Sequence, residues 1–321
     1  MQYGQIDGVD KPVSRLILGA MIMGWVEEGD GRDLLDEAFE LGYNAFDTGH
    51  VYGEGVECPL GEWIEDRGVR EDVVIVGKGA HPGQEGPRVN REAIRSDLAE
   101  SLERLRTDYM DVYLLHRDDP DVPVGPIVQA LNELLTEGRI SAFGGSNWTH
   151  ERIEEANRYA EEHDLTPFAA SSPNYSLAVQ YGEAWGGCIG IGGPEGAEAR
   201  AYYRRTRMPV LAWSSLARGF LSGRLTSANY EETKDDLPPA CVRGFCYEEN
   251  FRRLDRAHEL AAERGVSVPQ IALAYVLDSD VNVFPLVGPS SPQELADDAA
   301  ALGVELTEDE RAYLDLRNPE V

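Results

Sequence analysis

The sequence predicts an α/β protein: an eight-stranded (β/α)8 TIM barrel with extra helices, and with long loops at its C-terminal face. Three observations carry this. Short apolar runs alternate strictly with segments of helical periodicity, in eight pairs, a pattern that favours one parallel barrel over separate domains. Polar side chains stand directly after four of those runs, and a closed parallel barrel brings all its strand ends to one rim. The length, 321 residues, suits such a barrel enlarged by a few loops. A single domain over residues 1–321 is expected.

The elements follow in order. VSRLILGAM alternates and then runs apolar up to Gly19, and GRDLLDEAFELG places apolar residues at helical spacing over residues 34–41. NAFDT is the second strand, with a helix expected over residues 59–66. DVVIVGK precedes VNREAIRSDLAESLERLR, and DVYLLH precedes PIVQALNELLTEG. RISAFGGS pairs with HERIEEANRYAEEHD, PFAASS with a helix over residues 195–206, and MPVLAWSS with ENFRRLDRAHELAAERG. NVFPLVG and SPQELADDAAALG complete the count, while VPQIALAYVLD and LTEDERAYLDLR are expected as additional helices. Two connections are longer than simple turns: residues 180–196, with seven glycines, and residues 214–250. Both follow strands and so belong to the C-terminal rim. Neither offers GxGxxG or GxxxxGK[ST] between a strand and a helix, so a mobile lid or substrate wall is expected there instead of a phosphate cradle.

Composition narrows the function. With 29 basic against 58 acidic residues the net charge is −29, a field that repels nucleic acid and anionic membrane surfaces. The only lysines are Lys11, Lys78 and Lys234; a salt-rich habitat and a GC-rich genome both select such a surface. No apolar run is long enough to span a membrane, and the start, MQYGQIDGVDKPVSR, has no export signal. Cys58, Cys188, Cys241 and Cys246 form no CxxC, the pattern of free thiols in a reducing compartment, so a cytoplasmic location is expected.

The chemistry centres on YNAFDTGHVYG, which closes an apolar run with Asp47 and sets Tyr52 five residues on. Later strand ends deliver Lys78, His116, Ser146 and Asn147. Singly, each has a plainer reading: a turn-forming Asp, a core tyrosine, a surface lysine, a packed histidine. Together on one rim they form a carbonyl-reducing set. The oxygen of a reduced carbonyl needs a proton, and a phenol with an ordinary pKa of about 10 is a weak donor at neutral pH. An ammonium at hydrogen-bond distance favours phenolate and lowers that value, which suits Lys78; Asp47 then holds the ammonium and balances its buried charge. His116 donates from its ring to the developing oxyanion. A metal-dependent hydrolase built on Asp47, His50, His81 and His116 lacks the paired HxH or carboxylate set of a divalent site, and His50 and His81 are expected at the pocket mouth.

In these residues, and in LGAM, FDTGHVYG, VGK, YLLHRDDP, GGSNW, AWSSLARGFLSG and LVGPSSPQEL taken in order, the chain resembles the aldo-keto reductase superfamily over nearly its whole length. The resemblance implies an NADP or NAD cofactor bound without a Rossmann fingerprint. It implies that Gly19, Ala20 and Met21 touch the cofactor from the first strand, that Ser146 and Asn147 bind its carboxamide, and that Trp213 stacks on the nicotinamide. Ser172 stands where the family usually has Gln, so one carboxamide contact is expected to be shortened or water-bridged. Ser214, Leu216, Arg218 and Gly219 match the loop around the pyrophosphate.

At the adenosine end the family's NADP users place Lys or Arg after the last strand. This chain has Gly288, Ser290, Ser291, Glu294, Asp297 and Asp298 there, so a weaker NADP preference, with use of NAD, is expected. The substrate is a small carbonyl compound, with Trp25, Tyr52, His81, Trp148 and Trp185 as candidate pocket walls and Trp148 the foremost of them; Trp185 serves equally as a loop anchor. The rival reading is a nucleotide-sensing regulatory subunit on the same barrel, as in the potassium-channel subunits that resemble these reductases.

Overall fold

In the computed structural model, which describes residues 1–24 and 31–317, eight parallel strands close into a barrel. They are β1 Ile17–Gly19, β2 Ala45–Asp47, β3 Val74–Gly79, β4 Met110–Leu115, β5 Ile140–Ser146, β6 Ala170–Ser172, β7 Val210–Ala212 and β8 Val283–Val287. Each pairs with the next in chain order, and β8 returns to β1 with Leu286 opposite Ile17. Helices α1 Arg32–Glu40, α2 Glu54–Arg67, α3 Arg91–Arg104, α4 Val124–Thr136, α5 His150–Glu162, α6 Ala197–Thr206, α7 Glu248–Arg264 and α8 Pro292–Ala300 follow the strands in the expected order.

Strands β3 and β4 are buried along their whole length, which is why they read as continuous apolar runs and not as alternating ones. Alternation is still present, and it sorts the core into two clusters. Ala45, Val74, Val76, Val112, Leu114, Ala142 and Leu211 fill the barrel interior. Phe46, Ile75, Tyr113, Leu115 and Phe143 pack outward under the helices. That two-residue period decides the site: Asp47 follows Ala45 inward, Lys78 follows Val76, and His116 follows Leu114.

The structure departs from the sequence-based expectations in a few places. The first strand is two pieces: Val13–Ser14 pairs antiparallel with Tyr3–Gly4, and only Ile17–Gly19 joins the barrel. Ile6, Val9 and Val13 belong to the interior cluster, so the hairpin closes the N-terminal end. Helix α2 begins at Glu54, which leaves Pro59 inside it, although proline lacks the N–H a helix interior uses. The extra helices Val268–Leu277 and Glu308–Leu314 both start in capping boxes, Ser267 with Gln270 and Thr307 with Glu310. The 214–250 connection carries short helices at Tyr230–Thr233 and Pro239–Phe245. Among the described residues no helix is long and apolar enough to cross a membrane.

Candidate active site at the C-terminal rim

Asp47, Tyr52, Lys78 and His116 all line one cavity. Asp47 and Lys78 come from the inward faces of β2 and β3, and His116 directly follows β4. Tyr52 ends a one-turn helix, His50–Tyr52, that carries it back over the rim. The rings of Tyr52 and His116 stand edge to face at 5.8 Å. The side chains surround one point: a Cβ on Gly49 would lie 3.4 Å from Lys78 Cβ and Tyr52 Cε2, and 3.5 Å from His116 Cε1.

Lys78 Nζ donates to the Asp47 carboxylate and to the Thr48 carbonyl oxygen at 3.0 Å, and its charge acts on the Tyr52 hydroxyl. Burial alone would lower the ammonium pKa, but Asp47 and Tyr52 outweigh it and hold Lys78 above its ordinary range. Burial pushes the Asp47 carboxyl up while Lys78 draws it back. The proton belongs on Lys78, which donates to a carboxylate and a carbonyl oxygen. One expectation is corrected here. Burial raises the Tyr52 pKa more than Lys78 lowers it, so desolvation holds Tyr52 as a protonated phenol.

His116 is fixed through its main chain: its N–H donates to Gly79 O at 2.8 Å, and its carbonyl accepts from Arg117 at 2.8 Å and Asn147 at 3.3 Å. Burial, joined by the charges of Lys78 and Arg117, holds its imidazole well below the usual histidine range, so the ring is neutral. Its Nδ1 is buried without a partner among the described residues. His81 lies edge to face with His116 at 4.8 Å and lines the cavity. Its Nδ1 donates to Pro82 O at 3.0 Å. His50, expected beside it, does not line the cavity; it turns toward α3, with Nε2 2.8 Å from Glu100.

The cavity measures about 1140 Å³, above the roughly 300–1,000 Å³ of ordinary small-molecule sites. Gly19, Met21, Ser146, Asn147, Trp213, Ser214, Leu216, Arg218, Gly219, Gly288, Ser290, Glu294 and Asp298 line it, an arrangement that fits an extended nucleotide lying across the rim. Ala20 is fully buried behind the wall. So is Ser172, whose Oγ has no partner among the described residues: serine is too short to reach where the resemblance expects a longer amide. Asn147 is already satisfied inside the protein. Its Oδ1 accepts from Trp213 Nε1 at 3.1 Å and Ile189 N at 3.2 Å, and its Nδ2 donates to Ser146 Oγ at 3.1 Å as well as to the His116 carbonyl. A carboxamide there would have to displace one of these bonds. Ser214, Ala217 and Arg218 take left-handed backbone angles, φ 52, 51 and 58, each costing about 1 kcal/mol or more, and strain of this kind gathers at ligand clamps.

At the far end, Glu294 Oε2 accepts from Ser290 N at 2.8 Å and Ser290 Oγ at 2.9 Å. Asp297 accepts from Ser267 and Gln270 at 2.6 Å. Asp298 is buried, and burial, then the charges of Asp297 and Glu294, push its carboxyl well up. A cation does reach this end: Arg224, from the 214–250 loop, lies 3.6 Å from Glu294. The segment after the last strand has none, but the long loop supplies one.

The expected substrate walls divide. Trp148 is wrong: it is fully buried, its Nε1 donates to Arg117 O at 3.1 Å, and it packs on Phe168. A Cβ on Gly145 would come within 2.6 Å of its ring, so the indole lies flat on the outer wall of the barrel. Trp185 lines the cavity, 5.9 Å from Trp213. Trp25 lies outside the described residues. Sequence reasoning missed Arg117, Val51, Leu225 and Leu237, which also line the cavity. Only the length of the rim loops hinted at the last two.

With this geometry in place, the profile of the Aldo/keto reductase family matches residues 15–317. The Aldo-keto reductase AFTS1 of Alternaria alternata is 31% identical, over 98% of this chain and 90% of that protein. A protein of Oryza sativa subsp. japonica named "Probable voltage-gated potassium channel subunit beta" is 28% identical, over 95% of this chain and 92% of its own. A solved structure of the thermostable aldo-keto reductase Tm1743 with the inhibitor epalrestat superposes with a TM-score of 0.72 at 23% identity, over 99% of this chain and 100% of that one, a likeness of fold.

Proposed function

This chain belongs to the aldo/keto reductase family and is an NAD(P)-dependent oxidoreductase, and we propose that it reduces an aldehyde or ketone to the alcohol, with Tyr52 giving the proton. The observation that carries this reading is the buried Asp47–Lys78 ion pair, whose ammonium acts on the Tyr52 hydroxyl beside a neutral His116 in a shared cavity. When bound, the nicotinamide cofactor supplies hydride to the carbonyl carbon. Tyr52 passes its O–H proton to the carbonyl oxygen, and the phenolate left behind is stabilised by the Lys78 ammonium. Asp47 keeps that ammonium in place. His116 donates its Nε2–H to the same oxygen as negative charge builds on it.

Ser214, Leu216, Arg218 and Gly219 would hold the pyrophosphate, Trp213 would face the nicotinamide, and Glu294 and Asp298 would stand near the adenosine ribose. Carboxylates there oppose a 2′-phosphate, so NADH is accepted alongside NADPH. A hundredfold or greater advantage of NADPH in kcat/KM would refute that. The free cysteines, Cys58, Cys188, Cys241 and Cys246, fit a reducing cytoplasm.

The potassium-channel relative favours a second reading, a nucleotide-sensing subunit. Cofactor oxidation over a panel of aldehydes and ketones, repeated with Tyr52→Phe, separates the two. The reductase predicts turnover that falls about 10²-fold or more in the variant while cofactor binding persists. Tight cofactor binding with no turnover of any carbonyl favours the sensor.

A further inference from the structure

Arg117 directly follows His116 and is 7% exposed in the cavity wall. A guanidinium stays charged at every accessible pH, so burying one calls for an anion close by. Among the described residues it forms no ion pair. Its Nε donates to Gly186 O at 3.1 Å, one Nη to His116 O at 2.8 Å, and the other Nη to Cys188 Sγ at 3.1 Å. Asp118, the adjacent carboxylate, is taken by Arg152 at 3.2 Å. Carbonyl oxygens and a thiol offer only partial charge, so a full positive charge is left unbalanced where the dielectric is low. These contacts also leave one N–H unused on each Nη, donors available to an anion.

The other cations of the cavity have other assignments. Lys78 is balanced by Asp47, Arg224 by Glu294, and Arg218 belongs to the strained loop placed at the pyrophosphate. Arg117 is held by the glycine-rich loop, through Gly186 and Cys188, on the wall that bears His81 and His116. Burial dominates the titration of Tyr52, His81 and His116, and the Arg117 charge acts on all three, so the guanidinium lies within electrostatic reach of the carbonyl position.

We propose that Arg117 is a specificity-determining residue, and that the substrate is a carbonyl compound bearing an anionic group, a carboxylate or a phosphate ester, which pairs with this guanidinium while its carbonyl oxygen meets Tyr52 and His116. This rests on the reductase reading above. The charge selects for an oxo-acid or a phosphorylated aldehyde against a neutral one, because the neutral compound leaves Arg117 buried without a counter-charge.

The test uses the full chain with cofactor and matched carbonyls: 4-carboxybenzaldehyde against benzaldehyde, 4-oxobutanoate against butanal, and glyceraldehyde 3-phosphate against glyceraldehyde. We expect kcat/KM to favour the anionic member at least about tenfold in one pair or more, chiefly through KM, equivalent to about 1.4 kcal/mol. The first two pairs report a carboxylate and the third a phosphate. Arg117→Met brings the ratio toward unity and Arg117→Lys keeps part of it, whereas a residue that only clamped the loop would change both members alike. Should Arg117→Met fail to fold, inhibition of the wild type by benzoate but not by benzamide supports the pairing, and equal inhibition refutes it. Neutral aldehydes reduced as well as anionic ones overturn this proposal and leave the reductase reading intact. Absence of turnover on every carbonyl removes both.

Discussion

Lys78 donates to the Asp47 carboxylate between adjacent barrel strands, and both side chains are almost wholly withdrawn from solvent. Removing either partner leaves a buried charge alone, which typically costs about 3–5 kcal/mol. Asp47→Ala and Lys78→Met are each expected to destabilise the chain by about that amount in urea unfolding. The double variant should lose less than the sum, with a coupling of about 1–3 kcal/mol. Strict additivity would show that the pair does not act as a unit.

The pH dependence of reduction follows from two opposite shifts. A proton donor must hold its proton, and burial keeps Tyr52 above the ordinary tyrosine value, so activity is lost only on the alkaline side. His116 is held well below the usual histidine range by burial and by its cationic neighbours, so it stays neutral throughout. The profile of kcat/KM for a neutral aldehyde should be flat from about pH 6 to 8. An acid limb centred near about 6.5, absent from a His116→Gln variant, would mean that the imidazole works as a cation.

These shifts mark the boundary of what the sequence made legible. Two-residue alternation along apolar strands was enough to aim Asp47, Lys78 and His116 at one centre, because the barrel interior imposes that period. It failed at Trp148, which simple alternation beyond Ser146 would also aim inward. Asn147 takes a left-handed φ of 60, the alternation ends there, and the indole lies on Gly145 instead. Nor could spacing reveal that Arg224, some seventy residues before Glu294 in the chain, would meet it across the cavity; that contact depends on how a long loop folds. The balance between burial and Lys78 at Tyr52 was likewise a question of depth.

Arg224 and Glu294 set the response to the two nucleotides. While Glu294 neutralises Arg224 at 3.6 Å, a 2′-phosphate meets no free cation. Glu294→Gln should release it and raise the ratio of kcat/KM for NADPH over NADH by about tenfold, or about 1.4 kcal/mol. Arg224→Ala should lower the same ratio. If Glu294→Gln leaves it unchanged, the adenosine end lies elsewhere on the rim.

Net charge of −29 makes folding sensitive to screening. At about 0.01 M salt the Debye length is about 30 Å, so exposed carboxylates across the surface repel one another, and by about 1 M it is about 3 Å. The midpoint of thermal unfolding should therefore rise steadily with sodium chloride over that range. A midpoint independent of salt would show that the arginine pairs on the helices already offset the repulsion.

Asp298 gives stability a pH dependence of definite sign. An unfolded aspartate titrates at about 3.9, whereas burial beside Asp297 and Glu294 holds this one well above that. Between those two values the folded chain carries a proton that the unfolded chain has lost, so stability falls as pH rises through the interval. The contribution is fully present below about pH 4 and is lost as pH passes the folded value. Asp298→Asn removes the titration while keeping the shape of the side chain. Without added cofactor, the variant should melt at or above the wild-type temperature at pH 8, by about 1.5 °C for each kcal/mol relieved, and the two curves should converge toward pH 5. A wild type that gains stability relative to the variant as pH rises would mean that Asp298 is ionised in the fold and paired with a cation.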